Sequence, residues 1–354
     1  MSPMSDVLSL TRSLVDIESV SGNESAIAGY VFEHLSELAA QYDGHAECMP
    51  VEDFRFNVFA SWGASTVTLS THLDTVPPFF PSREDDEWIW GRGACDSKGI
   101  LSAMICAAEA LLAKGVRNFG LLFLVGEERN SAGARAAARL PRGSRYLING
   151  EPTDNLLAIA SKGALRMEIS ARGTMVHSAY PELGSSAIDT LLDVLQDIRR
   201  IPLPIDPVFG RCTMNIGTFV GGCAPNVLAG SAKAEIMFRL VGDPQPIRDA
   251  VHGAVSGRAE IREVLYIPAR QFDRLDGIPT IVVAFTTDIP LLAETWGRPC
   301  LLGPGSIQVA HTLEERVSKR ELQRAVELYS AMVQQLLAPA GREKAGGMSP
   351  GNQP

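Results

Sequence analysis

The chain lacks the composition of a nucleic-acid-binding or a disulfide-stabilised protein. Its formal net charge is −9 at pH 7, and no run of lysine or arginine is long enough to follow a phosphate backbone. The cysteines form no C-x-x-C pair and are scattered along the sequence as Cys48, Cys95, Cys106, Cys212, Cys223 and Cys300. This spacing predicts reduced thiols in a cytoplasmic protein rather than a disulfide framework or a zinc finger.

Long apolar segments are absent as well. No stretch approaches the roughly 18 apolar residues that a membrane-spanning helix needs. Residues 1–20 have the pattern of a helix with a polar and an apolar side, and they lack the apolar core and the cleavage site of a signal peptide. We therefore expect a protein that binds neither nucleic acid nor a membrane.

Apolar residues recur along the chain with the spacing of strands and helices. The predicted strands are 67–70, 119–125, 146–149, 165–171, 212–216, 234–240, 261–267, 281–285 and 299–302. The predicted helices are 24–41, 99–113, 186–199, 246–255, a helix that begins at Asp288, and 319–337.

This order of elements predicts two domains. The length exceeds what one ordinary domain needs, and 45% of the residues are hydrophobic. Alternating strands and helices predict an α/β domain of residues 1–162 and 278–339, with a mostly parallel sheet and helices on both faces. The order β-α-β-β-α-β predicts an inserted ferredoxin-like α+β domain of residues 163–277. We expect the glycine- and proline-rich residues 340–354 to be disordered.

His72 and Asp74 follow the first predicted strand. Side chains two positions apart on a strand point the same way, so this imidazole and this carboxylate would project together. A metal-binding histidine is commonly oriented by an acidic neighbour. The pair therefore indicates one corner of a metal site.

Other acidic and histidine residues follow the ends of later strands in the first domain. In an open α/β sheet the carboxyl ends of the strands border one crevice, where ligands bind. We expect His72 to meet four further segments there, which contribute Asp96, Glu127, Glu128, Glu151 and His311.

This set of side chains favours a pair of metal ions. Histidines mixed with carboxylates suit zinc, with cobalt or manganese as alternatives. The candidates exceed one tetrahedral site, so we expect two ions about 3.5–4 Å apart that share one carboxylate. Adjacent side chains diverge, so one of Glu127 and Glu128 can bind an ion while the other acts as a general base on the attacking water.

These segments resemble those of the dinuclear zinc amidohydrolases, a family that includes acetylornithine deacetylase, succinyl-diaminopimelate desuccinylase, aminoacylase and glutamate carboxypeptidase. The resemblance extends over nearly the whole chain. It rests on the motifs T-H-L-D-T-V-P, G-R-G-A-C-D-S-K-G, G-E-E, G-E-P-T and a late G-P-G followed by A-H.

The resemblance implies that Asp96 bridges the two ions. It further implies that one ion position is completed by His72 and Glu151, and the other by Glu128 and His311. A cis peptide bond after the bridging aspartate is typical of this family, which makes Asp96–Ser97 a candidate.

The same resemblance implies that Glu127 is the general base and that Asp74 supports His72. In the inserted domain, His177 matches a histidine that stabilises the oxyanion, in its own or a partner's active site. Asn226 and Arg239 match substrate-binding positions, and the planar fork of arginine suits a substrate carboxylate.

The resemblance also implies a backbone wall beside the substrate, formed by Gly303 to Gly305, and a homodimer that forms through the inserted domain. The expected substrate is an N-acyl amino acid, as for acetylornithine deacetylases and the related lysine- and ornithine-releasing deacylases of amino-acid biosynthesis. One alternative is a dipeptidase or carboxypeptidase with the same site. Another is a catalytically idle relative that binds amino acids, although a binder would not need the base Glu127.

Overall fold

The computed structural model describes residues 5–52 and 54–338, and these form two compact units. Unit 1 contains the described residues up to Asn155, residues 275–277 and those from Leu291 onwards. Unit 2 contains residues 156–274 and 278–290. The predicted disordered tail, 340–354, lies outside the described residues. Within those residues, no helix combines the length and the apolar character that crossing a membrane requires.

The first part of unit 1 alternates strands and helices. Its elements are α1 (Val7–Val15), α2 (Ser25–Gln41), β1 (His45–Glu52), β2 (Arg55–Trp62), β3 (Val67–His72), β4 (Arg83–Glu84), β5 (Trp88–Trp90), α3 (Lys98–Ala113), β6 (Phe119–Leu124), α4 (Ala132–Ala138) and β7 (Tyr146–Asn149).

The chain then runs through unit 2 and returns to unit 1. The elements of unit 2 are β8 (Leu157–Ser161), β9 (Gly163–Arg172), a 3-10 turn (Pro181–Leu183), α5 (Ala187–Arg199), β10 (Ile205–Asp206), β11 (Gly210–Arg211), β12 (Thr213–Gly221), β13 (Ser231–Leu240), α6 (Gln245–Val255), β14 (Glu260–Ile267), β15 (Arg270–Gln271) and β16 (Thr280–Val283). The return begins with α7 (Ile289–Leu292) and continues with β17 (Arg298–Leu301), β18 (Arg316–Ser318) and α8 (Lys319–Leu337).

The sheet of unit 1 is built around parallel strands. Its strands pair in the order β1-β2-β6-β3-β7-β17, and β6, β3, β7 and β17 run parallel to one another. Every residue of β3 and of β6 is buried, as expected for central strands that are covered on both faces. The predicted fold class, a mostly parallel sheet with helices and an inserted lid domain, is confirmed.

An antiparallel hairpin, β1–β2, extends this sheet at one edge. The sequence patterns did not indicate it. In β1 only Met49 is buried, because the strand lies at the edge and its other side chains are partly or fully exposed. An edge strand of this kind has no apolar alternation to recognise.

Unit 2 has the predicted β-α-β-β-α-β order. Its four-stranded antiparallel sheet pairs in the order β12-β13-β9-β14, and α5 and α6 pack with it around one apolar core. Buried residues alternate along β9 and β13, so one face of the sheet lines the core. The alternate positions carry charges, such as Glu168 between Lys233 and Arg262.

Residues 278–290 belong to unit 2, whereas the sequence patterns assigned them to the first domain. Strand pairing is the reason why this segment belongs to unit 2. Strand β16 runs parallel to β8, and the hydroxyl of Ser161 donates to the carbonyl of Phe285 at 2.6 Å. The helix expected from Asp288 is the short α7, Ile289–Leu292.

Trp296 anchors an apolar cluster of unit 1 between α4 and the sheet. Its ring is fully buried, stands edge-on to Phe59 at 5.7 Å between centroids, and donates its Nε1–H to the carbonyl of Ala137 at 2.9 Å. We expect Trp296→Ala to lower the free energy of unfolding by about 3–5 kcal/mol, since both the cavity and the lost hydrogen bond destabilise the protein. Urea denaturation measures this loss. Trp88→Ala, at a partly exposed tryptophan, is the control and should cost less; equal losses would contradict this account of the cluster.

Candidate metal centre

The carboxyl ends of the central parallel strands lie at one edge of the unit 1 sheet. His72, the last residue of β3, pairs in register with Leu124, the last residue of β6. On the other side of β3, Ser70 pairs with Asn149, the last residue of β7. The loops that follow β3, β6 and β7 therefore leave the sheet at the same edge.

One group of ligand atoms is buried at this edge. The Nε2 atom of His72 lies 2.9 Å from Oδ1 of Asp96 and 4.0 Å from Oε2 of Glu151. Each of the three residues offers a ligand atom within 4.8 Å of the other two, and all three are buried. The spacing is that of side chains around a single ion.

A second group shares Asp96 with the first. Nε2 of His311 lies 2.8 Å from Oε1 of Glu128 and 3.3 Å from Oδ2 of Asp96. These ligand atoms also lie within 4.8 Å of one another. His311 has a φ of 63°, a backbone conformation that is uncommon outside glycine and concentrated at functional sites. The structure thus brings all five predicted ligands together, with one oxygen of Asp96 facing each group.

The donor atoms are suited to cations. Nδ1 of His72 lies 2.9 Å from the backbone carbonyl of Asp74, which can only accept a hydrogen, so the lone pair of a neutral ring is on Nε2 and faces the first group. Oε1 of Glu151 is buried and has no hydrogen-bond partner within the described residues. A buried carboxylate oxygen without a donor calls for a positive charge.

The pKa values of residues in the two groups also favour bound cations. Burial raises the pKa of Glu151 well above its ordinary value, and the charges of Asp96, Glu127 and Glu128 add to that effect. Hydrogen bonds with Asp96 and Glu128 raise the pKa of His311 to about 10. This concentration of negative charge favours bound cations. The residues present therefore fit two divalent ions that share Asp96.

The loop that presents Asp96 has the backbone expected for it. The Asp96–Ser97 peptide bond is cis, which confirms the sequence-based expectation. The structure also contains a cis bond at Pro77–Pro78. The hydroxyl of Ser97 donates to the carbonyl of His72 at 2.6 Å, which ties the loop to the end of β3.

Asp74 supports the site in a different way from the one expected. Its carboxylate Oδ1 lies 3.6 Å from Nδ1 of His72, too far for a good hydrogen bond, and its backbone carbonyl holds the ring instead. The carboxylate accepts the backbone N–H groups of Glu127 and Glu128, at 3.0 and 3.2 Å, and the hydroxyl of Ser21 at 2.6 Å. Asp74 therefore fixes the loop that follows β6 as well as the ring of His72.

This loop separates the two glutamates. The side chain of Glu128 joins the second group, whereas that of Glu127 belongs to neither group of ligand atoms. The carboxylates of Glu127 and Glu151 are close enough for their charges to interact. Gly126 begins the turn with a φ of 77°, and a β-carbon there would lie 2.7 Å from the guanidinium of Arg55. Glu127 therefore lies outside both ligand groups and near enough to Glu151 for their charges to interact, and its role as the general base stays a prediction.

Sequence patterns missed Glu315, which also contacts this centre. Its side chain is fully buried and bonds to Arg92 and to backbone N–H groups of the loop that carries Asp96. Burial, followed by the charge of Asp96, raises the pKa of Glu315 to about 7, whereas the hydrogen bonds favour its ionised form. In the sequence, Glu315 is one of two adjacent glutamates after His311, and nothing distinguishes it from a solvated surface residue.

The remaining predicted residues of the inserted domain lie in unit 2. The backbone N–H of Ser178 donates to the carbonyl of Asn226 at 2.9 Å, so the segments of His177 and Asn226 are neighbours. His177 is exposed, and its Nδ1 accepts the N–H of Ala179 at 3.1 Å. Arg239 lies on β13 and is partly buried. Their contact with a substrate stays a prediction.

Gly303 and Gly305 are buried in unit 1 and bond to the segment after Glu151. The N–H of Gly303 donates to Oγ1 of Thr153, and the N–H of Gly305 donates to Glu321, both at 3.0 Å. Their carbonyls accept backbone N–H groups from residues 153–155. These backbone groups hold the loop of Glu151, and the predicted role of the two glycines in substrate binding is untested.

Comparison with known proteins places this geometry in a family. The sequence pattern of peptidase family M20/M25/M40 matches residues 68–335. A "Peptidase M20 domain-containing protein" of Schizosaccharomyces pombe is 37% identical over 339 residues, which cover 93% of this chain and 84% of that protein. A "Probable carboxypeptidase" of Aspergillus terreus is 36% identical over 377 residues, which cover 93% and 86%.

Solved structures show the same fold. A tripeptidase of Staphylococcus aureus superposes with a TM-score of 0.77 at 20% identity, over 94% of this chain and 100% of that one. A metallo-carboxypeptidase of the M20 family from Sulfolobus solfataricus gives a TM-score of 0.72 at 17% identity, over 94% and 99%. At these identities the similarity is evidence for the fold alone.

The shared position of Asp96 generates a prediction about metal content. Asp96→Ala should reduce bound Zn²⁺ from about two ions per chain to less than one, because both groups lose a ligand. Glu128→Ala should retain about one ion, since the first group stays intact. Elemental analysis after dialysis against a fixed Zn²⁺ concentration measures both values. Glu37→Ala, at an exposed residue of α2, is the control, and two ions retained in Asp96→Ala would rule out the bridge.

Proposed function

The chain belongs to peptidase family M20/M25/M40, and from this premise we propose that it hydrolyses an amide bond next to a free carboxylate, in a short peptide or an N-acyl amino acid. The observation that carries the proposal is the pair of ligand groups that share Asp96, with Glu127 beside them. This arrangement provides positions for two ions and a separate carboxylate that can accept a proton and return it.

The reaction follows from these positions. Divalent ions held by His72, Asp96 and Glu151 and by Asp96, Glu128 and His311 would polarise the amide carbonyl and would lower the pKa of water to near 7. Glu127 removes a proton from the attacking water as its oxygen bonds to the carbonyl carbon. It then returns that proton to the amide nitrogen as the carbon–nitrogen bond breaks. The products are a carboxylic acid and a free amine.

His177 is proposed to donate to the oxyanion that forms during this attack. Because Nδ1 accepts the N–H of Ala179, a neutral ring carries its hydrogen on Nε2. The exposed Nε2–H is then free to donate. The neighbouring segment of Asn226 would supply a further contact to the substrate.

Arg239 is proposed to bind the carboxylate of the substrate. The guanidinium is partly buried, and burial lowers its pKa. No carboxylate of the described residues lies within salt-bridge distance of it. A buried charge is normally paired, so this one suits an anionic group that arrives with the substrate.

Two substrate classes have separate support. A peptide with a free carboxyl terminus is favoured by relatives at 35–36% identity that carry the name "Probable carboxypeptidase". An N-acyl amino acid, as in acetylornithine deacetylases, is favoured by the motif that runs from Gly303-Pro304-Gly305 to Ala310-His311. We place the peptide first, because the relatives match over nearly the whole chain.

The proposed ions, the proposed homodimer and the proposed cytoplasmic location each have separate support. Two histidines with three carboxylates suit Zn²⁺, with Co²⁺ or Mn²⁺ as alternatives. A homodimer through unit 2 is supported by strand β12, which lies at a sheet edge and exposes Phe219 and Val220. Six free cysteines favour a cytoplasmic location. The intact Glu127 favours an active enzyme over an idle binder.

Glu127→Gln tests the assigned base. We expect kcat to fall by about 10²–10⁴-fold, because the amide cannot accept the proton of the attacking water. Bound Zn²⁺ should be unchanged, since Glu127 belongs to neither ligand group. Steady-state kinetics and elemental analysis give the two readouts. Glu37→Gln is the matched control, and turnover retained in Glu127→Gln would assign the base to another residue.

A substrate panel tests the proposed function. Zn²⁺-loaded protein should cleave peptides with a free carboxyl terminus and act at least about tenfold less well on the same peptides with an amidated terminus, where the charge that Arg239 binds is missing. Arg239→Met should remove this preference, whereas Arg172→Met, at an exposed arginine of the same unit, should keep it. Turnover of N-acetylornithine without peptide cleavage would favour the deacylase instead. Turnover of neither class would refute the proposed function.

A further inference from the structure

Strand pairing brings Glu315 underneath the loop that carries Asp96. Strand β18 is antiparallel to β5, with Arg316 opposite Trp90. The next position on each strand places Glu315 opposite Gly91, whose N–H donates to the carbonyl of Glu315 at 3.1 Å. The side chain of Glu315 therefore enters the loop of residues 91–97 from below.

Both oxygens of the Glu315 carboxylate accept hydrogen bonds from this loop. Its Oε1 accepts the backbone N–H groups of Gly93 at 2.9 Å, Asp96 at 3.1 Å and Cys95 at 3.3 Å. Its Oε2 accepts a hydrogen from the guanidinium of Arg92. Both side chains are almost completely buried. The four donors come from a segment of five consecutive residues that ends at Asp96.

We propose that Glu315 is a positioning residue for the metal centre, which sets the backbone of Asp96 so that its two carboxylate oxygens face the two ion positions. This inference rests on the dinuclear site of the proposed function. Glu315 need not touch an ion to act, since its contacts are with the loop.

A simple buried ion pair would not have this geometry. An arginine and a carboxylate that only neutralise each other tend to form two parallel hydrogen bonds through the planar fork. Here Arg92 bonds to one oxygen, and its Nε donates to the carbonyl of Pro78 at 3.2 Å. The other oxygen is left for the three loop amides. Arg92 balances the charge while Glu315 orders the loop.

The loss of Glu315 should weaken ion binding at both positions. Asp96 belongs to both ligand groups, so an error in its backbone position displaces a ligand atom of each. Its two oxygens lie 2.9 Å from His72 and 3.3 Å from His311, distances that leave little room for a shift. The loss of a residue that serves only one group would weaken one position and spare the other.

Glu315→Gln tests the proposal, because it keeps the shape but replaces an acceptor with an NH₂ donor that must face either Arg92 or the amides. We expect the affinity for Zn²⁺, measured by competition with a chromophoric chelator, to fall by about 10–100-fold at both positions. The absorption of the Co²⁺-substituted protein should change as well, since it reports the geometry around the ions. Unchanged affinity at both positions in a folded variant would overturn the proposal.

Glu109→Gln is the matched control. Glu109 is a buried carboxylate of α3, about three turns beyond Lys98, and it accepts from Ser5 and His34 at 2.7–3.1 Å. Its loss should lower stability and leave the Zn²⁺ affinities unchanged. If Glu109→Gln weakens Zn²⁺ binding as much as Glu315→Gln does, the effect is a general loss of structure and the proposal fails.

Two further measurements apply if Glu315→Gln does not fold. Glu315→Asp keeps the charge but withdraws the carboxylate by one methylene, and it should weaken both positions by about tenfold. In the unaltered protein, hydrogen exchange should show protected amides at Gly93, Cys95 and Asp96, and exchange as fast as in exposed loops would overturn the proposal. Zn²⁺ binding is measured without substrate. A protein that binds two ions but cleaves no amide would refute the proposed function, and the Zn²⁺ affinities would still decide whether Glu315 is a positioning residue.

Discussion

The candidate site depends on one carboxylate that must serve two groups of ligands at once. The two oxygens of Asp96 face His72 and His311, which come from the end of β3 and from a loop more than 200 residues later. A shift of Asp96 would disturb both groups, because each group includes one of its oxygens. The parallel strands bring the ligand-bearing segments to one edge of the sheet, and the loops that follow them set the positions of the ligand side chains.

Two buried carboxylates that belong to neither ligand group fix these loops. Asp74 accepts the backbone N–H groups of Glu127 and Glu128, and Glu315 accepts those of the loop that ends at Asp96. A carboxylate can hold several amides at once, and a buried one is satisfied only when it does so. Hydrogen bonds to the backbone thus orient the ligand residues, and the oxygens of the ligand side chains stay available for cations.

Sequence reasoning reached the ligands and Asp74, but it missed Glu315 and the backbone groups that both carboxylates hold, for a physical reason. His72, Glu128 and Glu151 follow strands whose apolar pattern is clear, and parallel topology brings such strand ends together. The partners of Asp74 and Glu315 are backbone amides, which every residue possesses and no sequence pattern marks. Strand β1 was missed for a different reason, since an edge strand with one buried residue has no periodicity to detect.

The ligand groups by themselves do not determine which substrate is cleaved. In the proposed reaction, Asp96 and its neighbours, with Glu127, provide what any amide hydrolysis needs, and this chemistry does not depend on the amino acid that is released. In unit 1 the backbone N–H groups of Gly303 and Gly305 already bond to Thr153 and Glu321. Discrimination among substrates must then come from side chains that the chemistry does not occupy. Arg239 is the residue that we propose for this task, because it combines a partly buried charge with no carboxylate partner among the described residues. It would select substrates that have a terminal carboxylate, a group that a peptide and an N-acyl amino acid share.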